Sequence, residues 1–141
     1  MLLNLFALVS CAMAFSANPP QAVLEAFQQK FPNAQDVDWS KEKNGEWEAE
    51  FELTGSQEMS ANFSADGHWL ETETEIAFLE LPAPIRTALQ GKKVKEAARI
   101  EKADGSTVYE AEVKRKDLIF DASGKMLNWK NPIQVLKTNA L

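Results

Sequence analysis

One cysteine, Cys11, and one histidine, His68, occur in 141 residues. No internal disulfide can form, and no thiolate or multi-histidine metal cage can be assembled, because such sites need several converging ligands. A catalytic triad would have to use His68, which follows the turn signal Asp66-Gly67 and so belongs on the surface. Glycine-rich phosphate loops, a nucleophile elbow and metal-ligand spacings are missing too, and no cofactor is implied. Positive charge is scarce: 15 Lys and Arg against 21 Asp and Glu leave a net charge of −6. That balance disfavours nucleic acid and anionic lipid, which need a basic surface. The short basic runs Lys92-Lys93-Val94-Lys95 and Lys114-Arg115-Lys116 stand beside acids and read as solvated surface.

Long apolar runs are missing as well. Residues 1–17, MLLNLFALVSCAMAFSA, are apolar and uncharged but shorter than the roughly 20 residues of a membrane span, which makes them a secretory leader. Ala12-Met13-Ala14 fits the small-x-small pattern of a cleavage site, with cleavage after Ala14 or shortly beyond. Leu8-Val9-Ser10-Cys11 also resembles a lipobox, so a lipid anchor at Cys11 is the alternative to soluble export. Either route leads to the periplasm or cell envelope, with no transmembrane span in the mature chain. Soluble export removes Cys11, and the domain must then hold together by its core alone.

What the chain has in quantity is strict alternation. In Glu46 to Leu53, Trp47, Ala49, Phe51 and Leu53 alternate with Glu46, Glu48, Glu50 and Glu52. A strand sends successive side chains to opposite faces, so one face is apolar and the other carries four carboxylates. Val108 to Val113 repeats this, with Tyr109, Ala111 and Val113 inward and Glu110 and Glu112 outward. A helix is expected from Asn18-Pro19-Pro20-Gln21, capped by Asn18, with Val23, Leu24, Phe27 and Phe31 as its apolar stripe and Pro32 as its stop. Strands around Val37–Trp39, at 46–53, Met59–Phe63 and His68–Ile76 follow, separated by Asn44-Gly45, Thr54-Gly55-Ser56 and Asp66-Gly67. At Asn44-Gly45 both residues are expected at positive φ. On 68–76, Trp69, Glu71, Glu73 and Glu75 share one face; Leu70, Thr72, Thr74 and Ile76 share the other. A second helix after Leu81-Pro82-Ala83-Pro84 points Ile85, Ala88 and Leu89 inward and ends at Gly91. Strands around Ala98–Glu101, Val108–Val113, Leu118–Phe120 and Lys125–Trp129 complete the chain.

The two halves align. Pro20 falls on Pro82, Phe27 on Leu89 and Trp47 on Tyr109; Phe63 falls on Phe120 and Gly67 on Gly124 after a short deletion. The expected architecture is therefore α+β: a tandem duplication of a helix followed by a four-stranded antiparallel meander. It is divided into a leader at 1–17, repeats at 18–80 and 81–130, and a tail at 131–141 in which Ile133, Val135 and Leu136 are docking candidates. Units of about 60 residues have thin cores, so the copies should pack together, by helix-to-sheet contact or through a shared sheet. Phe27, Phe31, Trp39, Trp47, Phe51, Phe63, Tyr109, Phe120 and Trp129 are the natural filling.

The stretch Phe31-Pro32-Asn33-Ala34, Val37-Asp38-Trp39, Trp47-Glu48-Ala49-Glu50-Phe51 and Phe63-Ser64-Ala65-Asp66-Gly67-His68-Trp69-Leu70-Glu71-Thr72-Glu73-Thr74 resembles the PepSY-like, or β-lactamase-inhibitor-like (BLIP-like), family of exported bacterial proteins. The resemblance covers nearly all the mature chain and is best in the first half. Lys92-Lys93-Val94 departs from it, lacking the Tyr-Pro often found there. It implies helix-plus-antiparallel-sheet repeats like those of the β-lactamase inhibitory protein, and a periplasmic or surface location. By analogy with the PepSY domains of protease propeptides it implies protein binding or peptidase inhibition, with no catalytic residue to carry over. Inhibition of a β-lactamase rests on the family's name alone.

The carboxylates are the candidate chemistry. An open, like-charged sheet face offers neither a calcium cage nor the apolar cleft that separates a catalytic pair. As plain surface it keeps strands from mispairing, with Lys41, Lys43 and Lys114 as cross-strand partners. As a site it binds an envelope protein or peptide through Glu48, Glu50, Glu71 and Glu73, with Trp69 as aromatic anchor. The expected function is a non-enzymatic exported binding module. The alternative is a small-ligand or cation sensor, calcium included, using the same carboxylates.

Overall fold

The computed structural model describes residues 18–129. The leader with Cys11 and the tail with Ile133, Val135 and Leu136 lie outside the described residues, as do the side chains of Asn128 and Trp129. Helix α1 (Gln21–Lys30) is followed by β1 (Gln35–Lys41), β2 (Trp47–Leu53), β3 (Gln57–Phe63) and β4 (Trp69–Glu75). A 3₁₀ turn (Phe78–Glu80) leads to α2 (Ala83–Ala88), then β5 (Val94–Lys102), β6 (Thr107–Val113), β7 (Lys116–Phe120) and β8 (Met126–Trp129). All eight strands form one antiparallel sheet in chain order, so the two halves share a sheet across β4 and β5. No described helix is long and apolar enough to cross a membrane.

Both helices lie on the same sheet face. Under α1, Val23, Phe27 and Phe31 pack with Trp47, Ala49, Phe51, Ala61 and Phe63. The rings of Phe27 and Phe51 meet edge to face at 5.1 Å, the arrangement their quadrupoles favour. Under α2, Leu81, Ile85 and Leu89 pack with Ala97, Ala111, Val113 and Phe120. Period-two sorting thus holds on β2, where Trp47, Ala49 and Phe51 are buried and Glu50 is exposed.

Local expectations are corrected in several places. Pro20, not Asn18, occupies the cap position of α1, and no side chain caps it. At Asn44-Gly45 only Gly45 has positive φ; its N–H donates to the Glu42 carbonyl, and Asn44 Oδ1 accepts from Glu46 N–H. Ala88 is exposed rather than inward, leaving Ile85 and Leu89 to anchor the short α2. Between β6 and β7 the chain turns at Lys114-Arg115, both at positive φ, where no glycine or asparagine announces a hairpin.

The two glycines that close the β3–β4 and β7–β8 hairpins serve the helices. A Cβ on Gly67 would stand 2.6 Å from the Ala22 carbonyl oxygen, and one on Gly124 would stand 2.9 Å from Pro84 backbone atoms. Each helix start is seated on a hairpin where only glycine leaves room.

Candidate functional site

The face opposite the helices is the candidate site. Side chains of directly paired residues share a face, so the register defines its rows. Asp38 faces Glu50, Glu50 faces Ser60 and Ser60 faces Glu73. Glu48 faces Asn62, which faces Glu71, which faces Lys102. Glu52 faces Glu58, and Glu75 faces Ala98. The predicted residues Glu48, Glu50, Glu71 and Glu73 therefore come together, joined by Asp38, Glu52, Glu58 and Glu75.

Trp69 does not join them. The register shifts at the end of β3, where Asn62 faces Glu71 but Phe63 faces Trp69, leaving Leu70 as an extra residue. This bulge flips Trp69 to the helix side. There it packs on the first core, donates Nε1–H to Thr72 Oγ1 at 2.8 Å, and lies 3.6 Å beneath the Lys30 ammonium. Trp69 is a core-edge residue, and the outer face has no tryptophan anchor from β4.

The expected lysine partners are elsewhere too. Lys41 is opposite Trp47 on the helix side, its ammonium 5.6 Å from the ring centroid. Cation–π attraction to Trp69 and Trp47 thus draws Lys30 and Lys41 away from the acids. Ion pairs join Lys95 to Glu96 and Glu112, at 3.2 and 3.3 Å, and Arg99 to Glu101 at 3.6 Å. Strands β1 to β4 present eight carboxylates on their outer face and no Lys or Arg.

Crowding alters their protonation. Burial, then the charges of Glu42 and Glu50, push the Glu48 carboxyl up to about 7. Burial, then Asp38, Glu58 and Glu42, raise Glu50; burial, then a hydrogen bond with Glu58 and the charges of Glu58 and Glu96, raise Glu75. Proximity of like charge and loss of water act in the same direction here.

In the second half the same face differs from expectation. Glu110 and Glu112 are 9% and 6% exposed, not solvated, beside Asp117 at 8%. Ile100, Val108 and Ile119 form a small apolar cluster among them. Alternation on β6 identified which side the acids take, but not their burial, which depends on what neighbouring strands bring.

His68 is exposed, 3.2 Å from Asp66, and Ser64 donates to the same carboxylate. Asp66 stands between the Ser64 hydroxyl and the His68 imidazole, so these two do not form a nucleophile–base pair. No described group of three or more His, Cys, Asp and Glu is arranged to hold a metal ion. An open notch of about 410 Å³ between Phe78-Leu79 and Ala83, Arg86, Thr87 and Gln90 has no acid or base besides Arg86.

A family model described as "Putative beta-lactamase-inhibitor-like, PepSY-like" matches residues 44–128, more than half of the chain. Among solved structures, a BLIP-like protein from Bacteroides fragilis is 27% identical over 81% of this chain and 86% of its own, with a TM-score of 0.67. A DUF2874 family protein from Bacteroides ovatus is 21% identical over 81% and 88%, with a TM-score of 0.71. A structure described as "putative periplasmic proteins", from Bacteroides eggerthii, is 18% identical over 81% and 89%, with a TM-score of 0.72. The last two show likeness of fold alone. No curated protein sequence matches the chain.

Proposed function

Since the chain belongs to the PepSY-like, beta-lactamase-inhibitor-like family, we propose that it is a non-enzymatic exported binding module whose outer sheet face takes a basic segment of an envelope protein or peptide. One observation carries this reading: eight carboxylates on the outer face of β1 to β4, with Lys30 and Lys41 turned to the other side. A surface of one sign attracts the opposite sign over roughly a Debye length, about 10 Å at 0.1 M salt, and repels its own. The leader at 1–17 and the periplasmic description of a fold neighbour support an exported location.

The helix-plus-meander order, met twice along the chain, supports an internal duplication with repeats at 18–80 and 81–130. So does the equal seating of α1 on Gly67 and α2 on Gly124. In this reading the second copy has kept the fold and changed the face: its apolar cluster of Ile100, Val108 and Ile119 includes Val108 where the first copy has Glu46 and Ile119 where it has Asn62.

Titration calorimetry with a Lys- and Arg-rich peptide, and with its acidic counterpart, tests the reading. Only the basic peptide should bind, and Glu50→Lys combined with Glu71→Lys should weaken it at least tenfold. Equal binding by the variant would discard this face.

A further inference from the structure

Two basic runs about 20 residues apart in sequence meet in the fold. Lys92 and Lys93 enter β5, whose first residue, Val94, pairs with Val113 immediately before the Lys114-Arg115 turn. Lys92, Lys93, Lys114 and Arg115 are exposed and form no ion pair among the described residues. They make a basic corner at one rim of the second half, while the outer face of the first half is acidic.

The turn itself is unusual. Lys114 and Arg115 have φ of 53° and 63°, a conformation that glycine and asparagine adopt easily and long side chains do not. The chain accepts this strain and places two cations at a hairpin tip. That tip is two strands from β4 and beyond the end of its own ladder, so it cannot fold back onto the acidic face of the same molecule.

We propose that the basic corner docks on the acidic outer face of a second copy, giving head-to-tail association. The inference rests on the outer face being the binding surface and names one occupant for it. Charge complementarity selects that occupant over an anionic bilayer, because Glu52, Glu58 and Glu75 lie toward the same rim and would meet the lipid together with the cations. The two surfaces are different patches, so the contact is heterologous and open-ended. Being electrostatic, it is weak and salt-sensitive.

Sedimentation equilibrium of the processed chain tests it. At about 20 mM salt the weight-average mass should rise with concentration, and at about 0.5 M it should return to the monomer. Lys114→Asn with Arg115→Gly should stay monomeric while melting a few degrees higher, since the turn is relaxed, so loss of association cannot be ascribed to misfolding. Glu50→Lys with Glu71→Lys should also stay monomeric. An equimolar mixture of the two variants has one competent surface on each partner and should stop at a dimer. A wild-type chain that stays monomeric at low salt overturns the proposal, and if its face still binds the basic peptide, the binding-module reading stands. Oligomers that survive either double substitution, or a mixture that stays monomeric or grows beyond a dimer, also overturn it.

Discussion

Glu48 holds a strongly perturbed carboxyl on the outer face. Its carboxyl titrates near 7 in the fold against an ordinary value of 4.5, so the folded state prefers the protonated form. A raised acid of this kind adds no penalty below pH 4.5. Folding loses stability as pH rises from there towards 7, and the loss is constant above. Glu50 and Glu75 are raised as well and act in the same direction. Asp66, Asp104 and Asp121 act in the opposite one: serine hydroxyls in their turns hold them below the usual range, so their contribution is lost as pH falls through their folded values. Stability should therefore peak near pH 5. Glu48→Gln removes the ionisable group while keeping its shape, and should gain up to about 3 kcal/mol at pH 8 with little change at pH 5. Urea midpoints at the two pH values check this; an equal gain at both would mean that packing, not charge, is responsible. Alternation put Glu48 beside Glu50 on one face but could not show its burial or the approach of Glu42, which raise it most.

At the scale of elements, the hairpins that seat the helices should be the most sensitive turns. Gly67→Ala combines a φ of +90° with a Cβ 2.6 Å from the Ala22 carbonyl oxygen, whereas Gly45→Ala has φ +89° and open space. Strain alone should cost Gly45→Ala about 1 kcal/mol, and Gly67→Ala should cost about 2–3 kcal/mol because backbone must also move. Gly124→Ala should resemble Gly67→Ala. Thermal melts of the three variants compare them directly; equal losses would mean that the contact with the helix start contributes nothing. Strands and glycine turns were legible in the sequence because period two and positive φ leave a mark on residue type. The bulge at Leu70 left none, since Trp69 and Glu71 keep the alternating spacing while the backbone between them slips. The Lys114-Arg115 turn was hidden for the opposite reason, its residues being poor candidates for the conformation they adopt. Alternation thus placed Glu48, Glu50, Glu71 and Glu73 on one face of the sheet, and put Trp69 on that face where the bulge turns it to the other.

For the whole molecule, the question is whether two cores make one cooperative unit. The clusters under α1 and α2 are separate, and between them on the helix side lie Thr72, Thr74, Arg99 and Glu101, a polar seam. Coupling runs instead through the β4–β5 ladder, from Glu71–Lys102 to Glu75–Ala98, and through Ile76, which packs on the second core and donates its N–H to the Ala97 carbonyl. Unfolding one half alone would strip a central strand of its partner and leave a row of bare N–H and C=O groups at β4 or β5. Each half, at about 60 residues, also buries too little to pay that penalty. The molecule should therefore unfold in one transition despite its divided core. With Trp129 changed to Phe, the remaining tryptophans, Trp39, Trp47 and Trp69, all report on the first half. In that background Phe120→Ala, in the second core at 2% exposure, should cost about 3–5 kcal/mol. It should lower the fluorescence and circular-dichroism midpoints together. Should tryptophan fluorescence hold its midpoint while circular dichroism melts earlier, the polar seam would be a boundary between two independently folding halves.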